Sequence, residues 1–234
     1  MQGKKFSGVG FMKDIVIIGA GGLGREVAQL IEDINADKKV WNLLGYIDET
    51  PEKQGTVINN NIVLGNFAWL EKNSNKKLCI VCAVGNPVDR YGLINRVSAY
   101  NIDFANLIHP GSKISKFSDL GIGCIVCSDS LISVNVKIGN HVLINPACGI
   151  GHDTVIGDYS SLYWDVILSG NVCVREGCEI GSKAVVIPKT TVGKWSILGA
   201  GAVAVDDIPD FCTAVGVPAK PIKFKTSEIL YHKT

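Results

Sequence analysis

With 234 residues the chain is long enough for one large domain or two small ones, each with a core of its own. Its 23 basic and 22 acidic residues leave a formal charge of +1 with no basic stripe, which excludes tracking of a nucleic-acid backbone. No apolar run has the length of a bilayer span, so membrane insertion is not expected and the expected location is the cytoplasm.

Residues 1–13 read as an N-terminal extension, polar at Lys4 and Lys5. From Asp14 to Ile34, DIVIIGAGGLGREVAQLIEDI reads as a buried strand, a glycine turn and an amphipathic helix. Gly19, Gly21 and Gly24 satisfy GxGxxG, and together with Gly22 they leave backbone N–H groups at a helix N-terminus, an anion site. The strand LLGYIDE ends at Asp48. An apolar run to Leu64 follows, then the strand KLCIVCAVGN ending at Gly85 and Asn86, a helix from Val88 to Tyr100 and the strand DFANLIHP. Residues 14–106 amount to about half of a dinucleotide-binding fold, a better match for a mononucleotide than for NAD. Cys79 and Cys82, like Cys124 and Cys127, have the spacing of a zinc half-site. Each pair lies in a strand-like run where residues three apart point to opposite sides, so reduced packing thiols are expected and no metal.

The sequence changes character near residue 107. Counting in sixes from Ile114, the positions Leu120, Val126, Ile132, Ile138, Ile144, Ile150, Ile156, Leu162, Leu168, Val174, Ile180, Val186, Val192, Leu198 and Ala204 are all aliphatic. A second column, four residues after each, holds small or β-branched residues, among them Ser118, Cys124, Ser130, Cys148, Thr154, Ser160, Cys178 and Ser196. Neither a period of 3.6 nor a period of 2 keeps both columns inside, whereas a chain that turns a corner every six residues does. The expectation is a triangular prism of about five coils over 107–213, with a tail over 214–234. Glycine follows the aliphatic at Gly121, Gly139, Gly151, Gly157, Gly181, Gly193 and Gly199, where a positive φ is expected.

This repeat, with the segment VGVPAKPI from Val215 to Ile222, resembles the left-handed parallel β-helix of the hexapeptide acyltransferases. LINPACGIGHDTVIGDYSSL, Leu143 to Leu162, resembles one branch of them, the bacterial nucleotide-amino-sugar N-acetyltransferases and the sialic-acid O-acetyltransferase-like proteins. The resemblance implies a half-Rossmann α/β domain followed by a left-handed β-helix, assembled as a homotrimer with active sites between subunits. It also implies acetyl-CoA as co-substrate, with no metal, and a small-molecule UDP-sugar as acceptor in surface-glycan biosynthesis. His152 would be the general base, oriented by Asp153. The register agrees, since a residue two after the core aliphatic Ile150 projects outward.

One coil above His152 stands Gly170, whose amide the resemblance assigns to the acetyl oxygen; a plain turn glycine is the other reading. On a different corner Trp164, Ser182 and Ala200 form a column, and the resemblance places coenzyme A along Ser182 and Ala200. Lys183, Lys189 and Lys220 are candidates for its phosphates, or simply solvated. Trp164 stands near the reactive end or in trimer packing. For the nucleotide sugar the resemblance points to Gly19, Gly21, Gly22 and Gly24 near the diphosphate, Asp48 near the uridine, Gly85 and Asn86 beside them, and Asn145 at the sugar end. The chain departs from several UDP-sugar enzymes of that branch at Leu23 and Ser161, where they carry histidines. O-acetylation of a sialic-acid-like or other sugar hydroxyl is therefore the alternative activity, and a non-catalytic sugar-nucleotide binder a weaker one.

Overall fold

A computed structural model describes residues 12–74, 77–100 and 102–226. Most of the expected extension, and the last eight residues of the tail with His232, lie outside them. The first unit is a sheet with strands β1 (Lys13–Ile18), β2 (Trp41–Ile47), β3 (Val57–Ile58), β4 (Asn61–Gly65), β5 (Leu78–Cys82) and β6 (Asp103–Phe104), in the order β3-β4-β2-β1-β5-β6. All its pairs are parallel except β3 with β4. Helix α1 (Gly22–Asp37) covers one side of the sheet, packing Val27 and Ile31 with Ile15 and Ile17. Helices α2 (Phe67–Asn73) and α3 (Pro87–Val97) supply Leu70, Ile94 and Val97 to the core with Val16 and Ile18. Burial on both faces is why β1 reads as a continuous apolar run rather than an alternating one. Asn86 starts α3 by accepting the N–H groups of Val88 and Asp89 on its side-chain oxygen, with Pro87 at the first helical position.

The expected single strand DFANLIHP is two. Asp103–Phe104 closes the first sheet on β5, and Leu107–Ile108 opens the prism beneath Ile125–Val126. Asn106 makes the break: its side chain donates to Gly121 O and accepts from Cys124 N, which pulls the chain into the first coil.

From there to Ala204 each hexad is a two-residue strand and a turn, and each strand pairs with the one 18 residues away, as Ile132 with Ile150 and Ile150 with Leu168. Three parallel sheets form the prism faces. We call the one starting at Leu107 the first face, the one starting at Lys113 the second, and the one starting at Asp119 the third. Both repeat columns are buried along the axis, apart from the half-buried Ile114, Ser118 and Leu120 at the open end. Many of the small column's polar atoms donate to a carbonyl 15 residues on: Ser130 to Asn145, Cys148 to Tyr163, Thr154 to Ser169, Ser160 to Arg175 and Cys178 to Gly193. Burial pushes the Cys148 and Cys178 thiols up to about 12, so they remain protonated donors.

The glycines after the aliphatic do not take the expected positive φ. That conformation falls two residues later, at Asn135, His141, Ala147, Asp153, Tyr159, Asp165 and Asn171, and at Gly123 and Gly177. What demands glycine is the next coil: a Cβ on Gly151 would sit 2.6 Å from the Gly170 nitrogen, and one on Gly157 2.5 Å from that of Glu176. Stacked coils leave no room for a side chain pointing along the axis.

The first unit docks on the prism's first face, where Leu107, Ile125 and Leu143 join the core of α1 and β1. It also docks on one edge, where His141, Tyr159 and Trp195 meet Phe104 and Tyr91. The rings of His141 and Trp195 occupy the space a side chain on Gly123 or Gly177 would need.

Candidate active site

Strand order reverses between β1 and β5, and a crevice outside the carboxyl ends of strands at such a point is where an open parallel sheet takes its ligand. The structure gathers Gly19, Gly21, Gly22, Gly24, Asp48, Gly85 and Asn86 at these strand ends. Gly19 has φ +99 and its N–H donates to Ile47 O. A Cβ on Gly24 would collide with the Gly19 carbonyl oxygen, whereas one on Gly21 would meet nothing within 4 Å. Gly24 thus serves the close packing of helix on turn, and Gly21 leaves its surface open. Asp48 braces the turn: its carboxylate accepts from Ala20 N, Thr50 N and Lys53 Nζ. Partial burial opposes its charge, but the hydrogen bonds from Thr50, Lys53 and Ala20 prevail and hold it down at about 2.

Asn145 is not in that crevice. It lies on the first face of the prism, 6% exposed, with no partner for its Oδ1 among the described residues. Between it and the crevice runs a buried junction that the sequence did not disclose. Arg90 of α3, 2% exposed, donates to the carbonyls of Val84, Gly85, His141, Tyr159 and Ser160 and to the Ser161 hydroxyl. Ser161 also donates to Gly85 O, and Glu179 accepts from Tyr163 OH and Asn86 Nδ2. One signal was present: Arg90 falls on the core face of α3 with Pro87, Ile94 and Val97, at helical spacing.

On the prism, His152 projects outward at the edge between the second and third faces, its side chain 57% exposed. Its Nδ1 is 2.8 Å from Asp153 Oδ2, and hydrogen bonds to His152 and then Asn135 lower the Asp153 pKa, so the carboxylate stays ionised. With Nδ1 occupied, Nε2 is the atom free to accept a proton. The ring lies over Gly170, where a Cβ would stand 2.5 Å from Nε2. Glycine at 170 is therefore what lets the imidazole lie against the next coil.

Trp164, Ser182 and Ala200 stand at the edge between the first and second faces, with Lys183 next to Ser182. Backbone N–H groups at that place in the hexad are free to be taken from outside the coil. At the third edge three of them are taken from within: Ile122 N donates to Asn140, Asn140 N to Asp158 and Lys194 N to Asp210. For Gly170, Ser182 and Ala200 no acceptor of the amide is found among the described residues. Trp164, 49% exposed, also borders a cavity of about 200 Å³ against α1, together with Glu26, Leu30, His109 and Pro146. Lys220 lies on the tail strand Lys220–Phe224 and pairs with Asp206 at 3.1 Å, and Lys189 is on the His152 edge, two coils above Asp153.

Residues 14–97 match the family model described as the PglD N-terminal domain. GDP-perosamine N-acetyltransferase of Escherichia coli O157:H7 is 27% identical over 220 residues, 91% of this chain and 98% of that one. The acetyltransferase domain of PglB from Neisseria gonorrhoeae FA1090, solved in complex with acetyl coenzyme A, superposes with a TM-score of 0.82 at 30% identity, covering 91% of this chain and all of that one. The same domain in a second structure gives 0.81 at 31%. The chain belongs to the left-handed β-helix sugar N-acetyltransferases. PerB from Caulobacter crescentus, solved with CoA and GDP-perosamine, is a further neighbour at 29% identity and TM-score 0.80, covering 90% of this chain and 97% of that one. In this acetyltransferase the acyl donor is acetyl-CoA. Among its described residues no helix is long and apolar enough to cross a membrane.

Proposed function

We propose that the protein transfers an acetyl group from acetyl-CoA to the 4-amino group of a UDP-linked deoxysugar for surface-glycan assembly. His152 is the general base, and no covalent enzyme intermediate forms. The observation that carries this is the exposed His152–Asp153 pair at 2.8 Å, its ring laid over Gly170, whose amide finds no acceptor among the described residues. As the amine attacks the thioester carbonyl, Nε2 takes its proton, the Gly170 N–H steadies the oxyanion, and collapse expels coenzyme A, which leaves as the thiol with that proton. The amides of Ser182 and Ala200 support the pantetheine arm, with Lys183 and Lys220 near its phosphates. Asn145, whose Oδ1 has no partner among the described residues, is an acceptor for the remaining amine hydrogen. O-acetylation uses the same base on a hydroxyl and differs only in the acceptor.

The two edges that hold base and cofactor flank the second face, so a single chain keeps them apart. Above Lys113, the outward residues of that face are Leu131, Gly149, Ile167, Val185 and Val203, an apolar stripe with Leu131 51% and Ile167 42% exposed. Packing such faces around a threefold axis buries the stripe and brings His152 of one chain to the cofactor edge of the next, which is why we assign a homotrimer.

The nucleotide reading has its own test. Gly21→Ala keeps the melting temperature, because its methyl meets no atom of the protein, yet weakens UDP binding about tenfold or more by covering the diphosphate site. Gly24→Ala instead lowers stability by about 1–3 kcal/mol. Isothermal titration with UDP and GDP reads this directly. Unchanged affinity for both in Gly21→Ala sinks the placement, and binding of GDP alone makes guanosine the base, as in the perosamine enzymes' substrate.

A further inference from the structure

We propose that Asn135 is a positioning residue: its side-chain amide anchors the Asp153 carboxylate, which in turn fixes the His152 ring with Nε2 toward the acetyl donor. This rests on His152 being the base. Asn135 lies one coil below Asp153, and its Nδ2 donates to Asp153 Oδ1 at 3.0 Å, while the other oxygen, Oδ2, holds His152 Nδ1 at 2.8 Å. Each carboxylate oxygen thus has one partner, and amide, carboxylate and imidazole form a chain across two coils. The two side chains of the pair are 57% and 45% exposed, so packing of the ring on Gly170 from one side does not by itself fix their rotamers. Hydrogen bonds must do so: the backbone of Asp153 is tied to the coil below through its N–H to Val134 O, and Asn135 ties the carboxylate itself to that coil.

A conformational reason for asparagine also exists at this corner. Residue 135 has φ +59, which asparagine tolerates, and Asn171 stands in the same column with φ +58. That accounts for the backbone and not for the amide's aim, and glycine satisfies the backbone equally well. Asn135→Gly therefore separates the two. The charged groups facing the pair are Asp119 and Lys137, which line the same groove with Phe117 and Val155, and Lys189 two coils above Asp153. All three remain in place in the variants.

Carbethoxylation of His152 by diethyl pyrocarbonate, followed across pH by mass spectrometry on the full-length protein, reads the imidazole pKa with no acceptor present. Asn135→Asp sets a second carboxylate against Asp153, which favours the imidazolium, so the profile moves to higher pH by about half a unit or more. Asn135→Gly moves it the same way by less and lowers kcat about tenfold, with KM for acetyl-CoA and the melting temperature unchanged. A role confined to the turn leaves both the profile and the kcat of Asn135→Gly where they are in the wild type, and that result overturns the proposal. If His152→Ala is inactive while Asn135→Gly keeps full kcat, only the positioning role falls. If His152→Ala itself is fully active, the base reading falls and this one with it.

Discussion

His152→Ala is expected to lower kcat for acetyl transfer about 10²- to 10⁴-fold, the usual contribution of a positioned general base, while coenzyme A still binds with its wild-type affinity. The two effects separate because the proposed donor contacts at Ser182 and Ala200 stand on a different prism edge from the imidazole. Removing the ring also uncovers Gly170 without disturbing the interior, since the side chain is mostly in solvent. The melting temperature should therefore hold. Release of free thiol from acetyl-CoA in the presence of acceptor measures the rate, and calorimetric titration measures the binding. A variant with full activity removes His152 from the chemistry; a variant that no longer binds coenzyme A puts the cofactor where the base was placed.

The second large effect is on stability. Arg90→Ala should cost about 3 kcal/mol or more, read as a lowered denaturation midpoint. The guanidinium is buried, and its partners are five carbonyls and a hydroxyl rather than a carboxylate. Burial pulls its pKa down, yet the fixed carbonyl dipoles give a planar, five-donor cation what water gave it. Deleting it strands several buried acceptors, each worth about 1–3 kcal/mol, and opens a void between the domains. Arg90→Lys should recover only part of the loss, because one ammonium cannot span Gly85 on one side and Tyr159 on the other. Wild-type stability in Arg90→Ala would mean that the junction is held by its apolar and aromatic contacts, those of Leu107, Ile125 and Leu143 and of Tyr91 and Phe104, without the guanidinium.

The prism was legible because its two columns recur without a slip, and the interior of such a coil admits nothing else. The glycine turn was equally plain, since strand, turn and helix each left their own pattern. The meaning of the repeat glycines was misread. A six-residue period says where a turn lies, but the space that excludes a Cβ belongs to residues such as Gly170 and Glu176, 19 positions away. The strand through residues 103–110 was drawn as one because Asn106 acts only through Gly121 and Cys124. Arg90 went unnoticed for a related reason: a lone arginine on a helix ordinarily reads as solvated, and its partners lie at sequence separations of 51 to 71 on the prism side. Asn135 was likewise invisible until the coil register set it under Asp153.

The most direct measurement is product analysis by NMR after incubating the full-length protein with acetyl-CoA and a panel of UDP- and GDP-linked 4-amino-deoxyhexoses. The account predicts one acetamido product, formed at the 4-position, with one free thiol released per acetyl group transferred. An ester on a sugar hydroxyl, or no transfer to any amine of the panel, would contradict it.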